Sequence, residues 1–201
     1  MEASQLRPPI APASDYDQCV VLRDVTWAEY EAHAAARGEG AVPRLTYDRG
    51  VLEIMSPSKS HEHIKKTLAR LLELWALETK TTLEGYGSWT IKNPDVERGL
   101  EPDECYVCGD HDAQRPDLAI EVVWTSRLLD KLAVYAALGI PEVWVWENDA
   151  LAVHVLRDQR YERAARSALL PAVDLPLLAR LGSYQSSTRA VAELREILTR
   201  G

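Results

Sequence analysis

The chain of 201 residues has no apolar run that approaches the length of a membrane span. No basic segment followed by an apolar one marks a secretory signal, so a cytoplasmic protein with no membrane attachment is expected. Cysteine is scarce, with Cys19, Cys105 and Cys108 the only three. The Cys105–Cys108 spacing is half of a zinc site with no second pair to complete it, and a redox motif would sit near a helix start. Both cysteines are expected to pack as small apolar side chains. Positive charge is also in short supply. A formal net charge of −8 argues against a surface coated in basic groups for nucleic acid, although it leaves room for a local basic groove. There is no internal repeat. What is present is an ordinary globular composition, 46% hydrophobic and 27% charged, enough for one core and short for two.

Residues 1–20, rich in proline and alanine, read as a disordered tail. A domain over 21–175 and a C-terminal helical extension over 176–201 follow. Thr26-Trp27-Ala28-Glu29 is a capping-box pattern that opens a helix to about Arg37. Leu45–Asp48 and Val51–Met55 flank Arg49-Gly50 as a hairpin. After Ser56-Pro57-Ser58, a helix from about Ser60 to Lys80 presents Ile64, Leu68, Leu71, Leu72 and Trp75 as a core stripe. Lys65, Lys66 and Arg70 lie opposite, either as a solvated face or as a phosphate-contacting surface. Ser88–Lys92 reads as a strand and Asn93-Pro94-Asp95 as a turn. Thr125 or Ser126 is expected to cap a helix with Leu128, Leu132, Tyr135 and Ala136 inward, closed by Gly139 and Pro141. Glu142–Glu147 and Leu151–Leu156 make a second hairpin whose alternating tryptophans suit core packing better than base stacking. Beyond Leu170 come a Pro-Leu-rich connector and a helix from about Thr188 to Thr199, which docks on the domain or on a second copy in a homodimer. This order of elements belongs to an α/β class, a mixed sheet with helices on its faces.

The stretch from Glu101 to Lys131 carries the chemistry. Its first run, Glu101 to Cys108, has Pro102 at a strand start and alternation that sets Glu101 and Asp103 on one face, Glu104 and Tyr106 on the other. The second, Asp117 to Trp124, is apolar enough to be covered on both faces, with Glu121 inside it. Buried carboxylates must be paired, hydrogen-bonded or metal-bound, and two on adjacent strands repel unless a cation lies between them. Hard divalent cations take such oxygen ligands. Salt-bridged acids at strand ends are the alternative. Asp117 shares a face with Glu121 but lies roughly 13 Å from it along the strand, a distance that suits an orienting or capping group.

Pro-Asp, then an acid inside an apolar strand, then Lys131 resembles the PD-(D/E)XK nuclease superfamily, with its restriction-endonuclease-like core. Within it the chain is similar to the Uma-type group, catalogued as a bacterial domain of unknown function and assigned to restriction endonucleases. The segments that carry the resemblance are Leu52–Ser58 with His61, Glu101-Pro102-Asp103, Pro116–Val122, and Lys131–Tyr135 running on to Gly139–Trp144. The superfamily's usual lysine position, two residues after the acid, is Val123 here; the Uma-type group takes its lysine from the following helix, where Lys131 stands. The connection from Trp124 to Asp130 looks about a helical turn short of the group's usual length, which leaves the reach of Lys131 for the structure to decide.

The resemblance implies a metal-dependent endonuclease acting on DNA. Asp103 and Glu121, with the Val122 carbonyl, would hold Mg²⁺ or Mn²⁺, and Lys131 would orient the attacking water or neutralise developing charge. Glu101, Glu53, His61, Glu62 and Asp117 are accessory candidates, and Lys65, Lys66 and Arg70 candidate nucleic-acid contacts. His61 and His63, separated by one residue, fall on different sides of a helix and form no metal pair. A nuclease fold that has lost its chemistry and binds nucleic acid or a protein, or a hydrolase of another phosphate ester, are the other readings.

Overall fold

Alternation of buried and exposed positions in the strands, and the long apolar stripe of one helix, fix where the layers meet. A computed structural model describes residues 15–38, 40–109, 112–123 and 129–200. Strands β1 (Gln18–Arg23), β2 (Arg44–Asp48), β3 (Val51–Ser56), β5 (Ile91–Asn93) and β6 (Arg98–Leu100) form an antiparallel sheet in the order β1-β3-β2-β6-β5. A second sheet has the order β11-β10-β9-β8-β7-β4, from β4 (Leu83–Gly85), β7 (Glu104–Cys108), β8 (Leu118–Val122), β9 (Glu142–Glu147), β10 (Ala150–Arg157) and β11 (Arg160–Ala164). It is mixed, because β8 and β9 pair parallel while its other neighbours pair antiparallel. The crossover joining β8 to β9 contains helix α3 (Lys131–Leu138), as a parallel pair requires. Among the described residues no helix is long and apolar enough to cross a membrane.

Helix α1 (Trp27–Arg37) starts with the expected capping box: Thr26 and Glu29 bond reciprocally. Tyr30 from α1 stacks on Tyr47 of β2 with ring centroids 4.9 Å apart, and both are buried against Val25, Leu45 and Leu52. Helix α2 (Lys59–Thr79) is capped by Ser58, whose hydroxyl accepts from the His61 amide at 3.2 Å. Its stripe of Ile64, Leu68, Leu71, Leu72 and Trp75 covers one face of the mixed sheet, against Leu118, Ile120 and Val122 of β8. Helix α3 lies against the other face, where Val134, Tyr135 and Leu138 meet Ala119 of β8, Val143 and Val145 of β9, and Ile91 and Leu100 from the antiparallel sheet. Strand β8 is therefore covered on both sides, and Trp144 and Trp146 are core residues.

Several sequence expectations shift. The first strand begins at Gln18, inside the stretch read as a tail. The strand placed at Ser88–Lys92 is the short β5, and Pro94–Val96 is a 3₁₀ turn. The Pro-Leu-rich connector contains helix α4 (Leu175–Gly182), because Pro176 falls in the first turn, where its missing N–H is no loss. Helix α5 (Ser187–Arg200) packs with α4 on α2 of its own chain. Thr125 and Ser126 lie outside the described residues; the side chain at the start of α3 that accepts from the Ala133 amide is Asp130.

Candidate active site

The antiparallel register pairs Glu104 with Ile120, so one step further along the ladder brings Asp103 level with Glu121. Asp103, just before β7, turns its carboxylate to the end of β8: Oδ2 accepts from the Val122 amide at 2.6 Å. Glu121 shares a strand face with Ala119, the face toward α3. There Lys131, the first residue of α3, donates from Nζ to Glu121 Oε2 at 2.7 Å. The connection that looked short is long enough. Tyr135, one turn further along α3, donates its hydroxyl to Glu121 Oε1.

Asp103 is 1% exposed and held by two cations. Arg44, at the start of β2, donates from Nη1 to Asp103 Oδ1, and from Nη2 to Glu62 at 2.7 Å. His61, in the first turn of α2, sets Nε2 at 3.1 Å from Asp103 Oδ2 and Nδ1 at 3.0 Å from Asp17 Oδ2. Both ring nitrogens face carboxylates, so the ring is a cation donating from each; its 3.2 Å approach to Arg44 Nη1 is then a contact between two donors. Burial works against the His61 charge, yet the Asp103 and Asp17 carboxylates carry its pKa up to about 9. Burial likewise opposes ionisation of Asp103, and the Arg44 and His61 charges overcome it, holding that carboxyl well below its usual range. Lys131 has its ammonium pKa raised: burial lowers it, but Glu121 and Asp103 more than compensate. Burial is also the main reason that the Tyr135 phenol is pushed well up.

The other expected residues divide. Glu53 joins the site from β3: it is 5% exposed, within the fields of Lys131 and Glu121, and its carboxyl pKa is raised chiefly by burial. Glu62 is at the rim, paired with Arg44 and with Lys65 at 2.6 Å. Glu101 is a correction. Both its oxygens pair with Arg37 at 2.5 Å and one also takes the Thr90 hydroxyl, bonds that tie it to α1 and away from Asp103 and Glu121. Asp117 accepts from the Cys108 amide at 2.8 Å, an orienting role within the β7–β8 pair. Arg70 donates to Ser187 at the start of α5 at 2.7 Å, which removes it from any free basic face. Lys66 stays exposed and Lys65 half-buried. His63 bonds the Tyr184 carbonyl at 2.8 Å, away from His61.

Arg44, Asp17 and Tyr135 are site residues that sequence reasoning did not select. An arginine at a strand start reads as solvated, Asp17 lay in the presumed tail, and Tyr135 sits at a core-facing helix position. A buried pair of acids with one lysine in view does imply further cations, and that was the available signal for Arg44.

Among the described residues no three His, Cys, Asp or Glu side chains form a metal-binding cluster. A carboxylate offers about four lone-pair positions, of which the bonds above take three on Asp103 and two on Glu121. Counted over the described residues, both acids keep acceptor capacity, and their oxygen donors suit a hard cation that retains much of its water, Mg²⁺ or Mn²⁺.

The model of the Uma2 family, described as "Putative restriction endonuclease", matches residues 27–183. The chain belongs to the Uma2 family. That match takes in every residue of the site except Asp17. Among solved structures, the chain is similar to one titled as a "putative nuclease belonging to DUF820" from Anabaena variabilis, at 16% identity. That alignment covers 76% of this chain and 92% of the other, with a TM-score of 0.46. No curated protein matches.

Proposed function

We propose that this Uma2-family chain is a metal-dependent endonuclease that hydrolyses DNA phosphodiester bonds. The observation that carries the reading is the meeting of two acids from neighbouring strands with the ammonium of Lys131, although that lysine comes from a helix and the usual lysine position is Val123. The family's description, "Putative restriction endonuclease", supports it.

Asp103, Glu121 and the Val122 carbonyl are the groups that would hold Mg²⁺ or Mn²⁺, which supplies Lewis acidity toward a phosphate oxygen and lowers the pKa of bound water. The chain's own residues do the rest. Lys131 keeps its proton across the neutral range and has three N–H bonds, one of them committed to Glu121; the other two can orient a water or meet charge building on the phosphate. Tyr135 fixes the Glu121 carboxylate from the side opposite Lys131, and the Val122 amide fixes Asp103. Glu53, whose pKa burial raises, is a further acid within the fields of Lys131 and Glu121 that could exchange a proton.

A second reading has its own observation. Arg44 and His61 already neutralise Asp103, as they would in a fold that has exchanged its metal for permanent ion pairs and serves only to bind. Cleavage of supercoiled plasmid and single-stranded DNA at low salt with Mn²⁺ separates the two. Native protein should cut, and folded Asp103→Ala, Glu121→Ala and Lys131→Ala should each lose on the order of 100-fold or more, the scale of removing one charge-stabilising group. Native protein that fails to cut, or variants that cut equally well, would overturn catalysis. Mn²⁺ should also raise the melting temperature of native protein and not of Asp103→Ala.

A further inference from the structure

The residues from Tyr86 to Thr90 run beside the segment that carries Asp103. Three bonds hold them there: the Tyr86 amide donates to the Cys105 carbonyl at 2.9 Å, Cys105 Sγ approaches the Gly87 carbonyl at 3.1 Å, and the Thr90 hydroxyl donates to Glu101 at 2.9 Å. The loop is thus fixed about one interstrand spacing from residues 101–105. It carries Tyr86 and Trp89, with ring centroids 5.2 Å apart and planes tilted by 45°. Tyr86 is 55% exposed, and neither ring joins a hydrophobic cluster of the core.

Under this loop lies Glu104, only 8% exposed. Its Oε2 points at Gly87, where an added Cβ would lie 4.0 Å away. Among the described residues nothing donates a hydrogen bond to this carboxylate, and Lys65 and Lys66 of α2 act on it through their charge alone. The carboxylate is thus nearly buried yet has no donor of its own among the described residues, which leaves its oxygens able to accept from a ligand. Gly87, which it faces, stands between Tyr86 and Trp89 in the loop, with the Lys65 and Lys66 charges acting on the carboxylate and Glu73 beside Gly85.

We infer that Tyr86, Trp89 and Glu104 form a seat for one unpaired nucleobase, which stacks on the two rings and donates its exocyclic amino group to Glu104, with the adjoining phosphates on the side of Lys65 and Lys66. The inference rests on the nucleic-acid part of the proposed function and narrows the substrate to a single strand, or to a nucleotide turned out of a duplex. A base inside a duplex shows neither a free π-face nor a free pairing edge. Stacking also suits a protein of formal net charge −8, because every base has a face to offer and the contact does not depend on bulk attraction of phosphate.

Fluorescence anisotropy of labelled oligodeoxycytidine, oligodeoxythymidine and a duplex, in EDTA at low salt, tests this apart from cleavage. Oligodeoxycytidine should bind tightest. Tyr86→Ala and Trp89→Ala should each weaken it by on the order of fivefold or more, the lower end for one stacked base. Glu104→Ala, which removes the acceptor, should erase the preference over oligodeoxythymidine, which lacks the amino donor. Duplex binding as tight as single strand, or Tyr86→Ala binding like native protein, would overturn the seat; Tyr86 is a surface residue whose replacement leaves the core intact. If these binding results hold and the native protein cuts nothing, the seat stands and catalysis falls. If native protein cuts while Tyr86→Ala binds normally, catalysis stands and the seat falls.

Discussion

At the level of single residues, His61 gives the clearest dependence on pH. Its folded pKa of about 9 exceeds the ordinary value of 6.5, so the folded protein holds this proton more tightly than the unfolded chain. The resulting stabilisation is fully present below pH 6.5 and is lost as pH rises through 9; a shift of this size is worth on the order of 3 kcal/mol. Asp103 acts in the opposite sense, its lowered pKa adding stability above the usual carboxyl range and losing it in acid. Urea denaturation of metal-free protein from pH 6 to 10 should therefore show a decline that His61→Gln does not share. Glu121 stood out in the sequence because an acid inside an apolar run demands a partner, while Asp103 and Lys131 stood out through the resemblance to the nuclease motif. Arg44 and Asp17 did not, because each looks like ordinary surface until the fold brings it to His61 and Asp103.

Among the elements, those with a period were legible and those without one were not. The capping box of α1, the stripe of α2 and the hairpin of β9 and β10 all follow from pattern. Strands β4, β5 and β6 are three residues each, too short for alternation to register; they exist because their neighbours offer ladder partners. Strand β6 also has a packing constraint. A Cβ at Gly99 would collide with the hydroxyl of Tyr30, 2.8 Å from its Cζ, and that ring cannot retreat because it is stacked on Tyr47 and flanked by Trp27. Gly99→Ala should destabilise the protein by about 1–3 kcal/mol, visible as a lower denaturation midpoint with unchanged slope. A midpoint equal to the native one would mean that α1 shifts freely on the sheet.

For the whole molecule, the division into a domain and a C-terminal extension gains a physical test. Ala190 and Leu194 of α5 belong to the same apolar cluster as Trp144 and Trp146 of β9 and Leu118 of β8, so the last helix and the mixed sheet should unfold together. Leu194→Ala removes a side chain that is 1% exposed and should cost about 2–5 kcal/mol. Calorimetry should show one transition moving down as a unit; a separate early melt of the C-terminal helices would make them an appendage. The family match ends at residue 183, before α5 begins, so this helix adds to a core most of which lies within the matched residues.

Asp17 reaches both the Ser58 amide, at 2.8 Å, and the ring of His61. The buried acid Asp103 is thereby latched, through one imidazole, to a residue 86 positions earlier in the chain. Because Asp17 immediately precedes the edge strand β1, that strand's grip on β3 also bears on the aim of Asp103, and a fraying edge would be felt as a loosened candidate site.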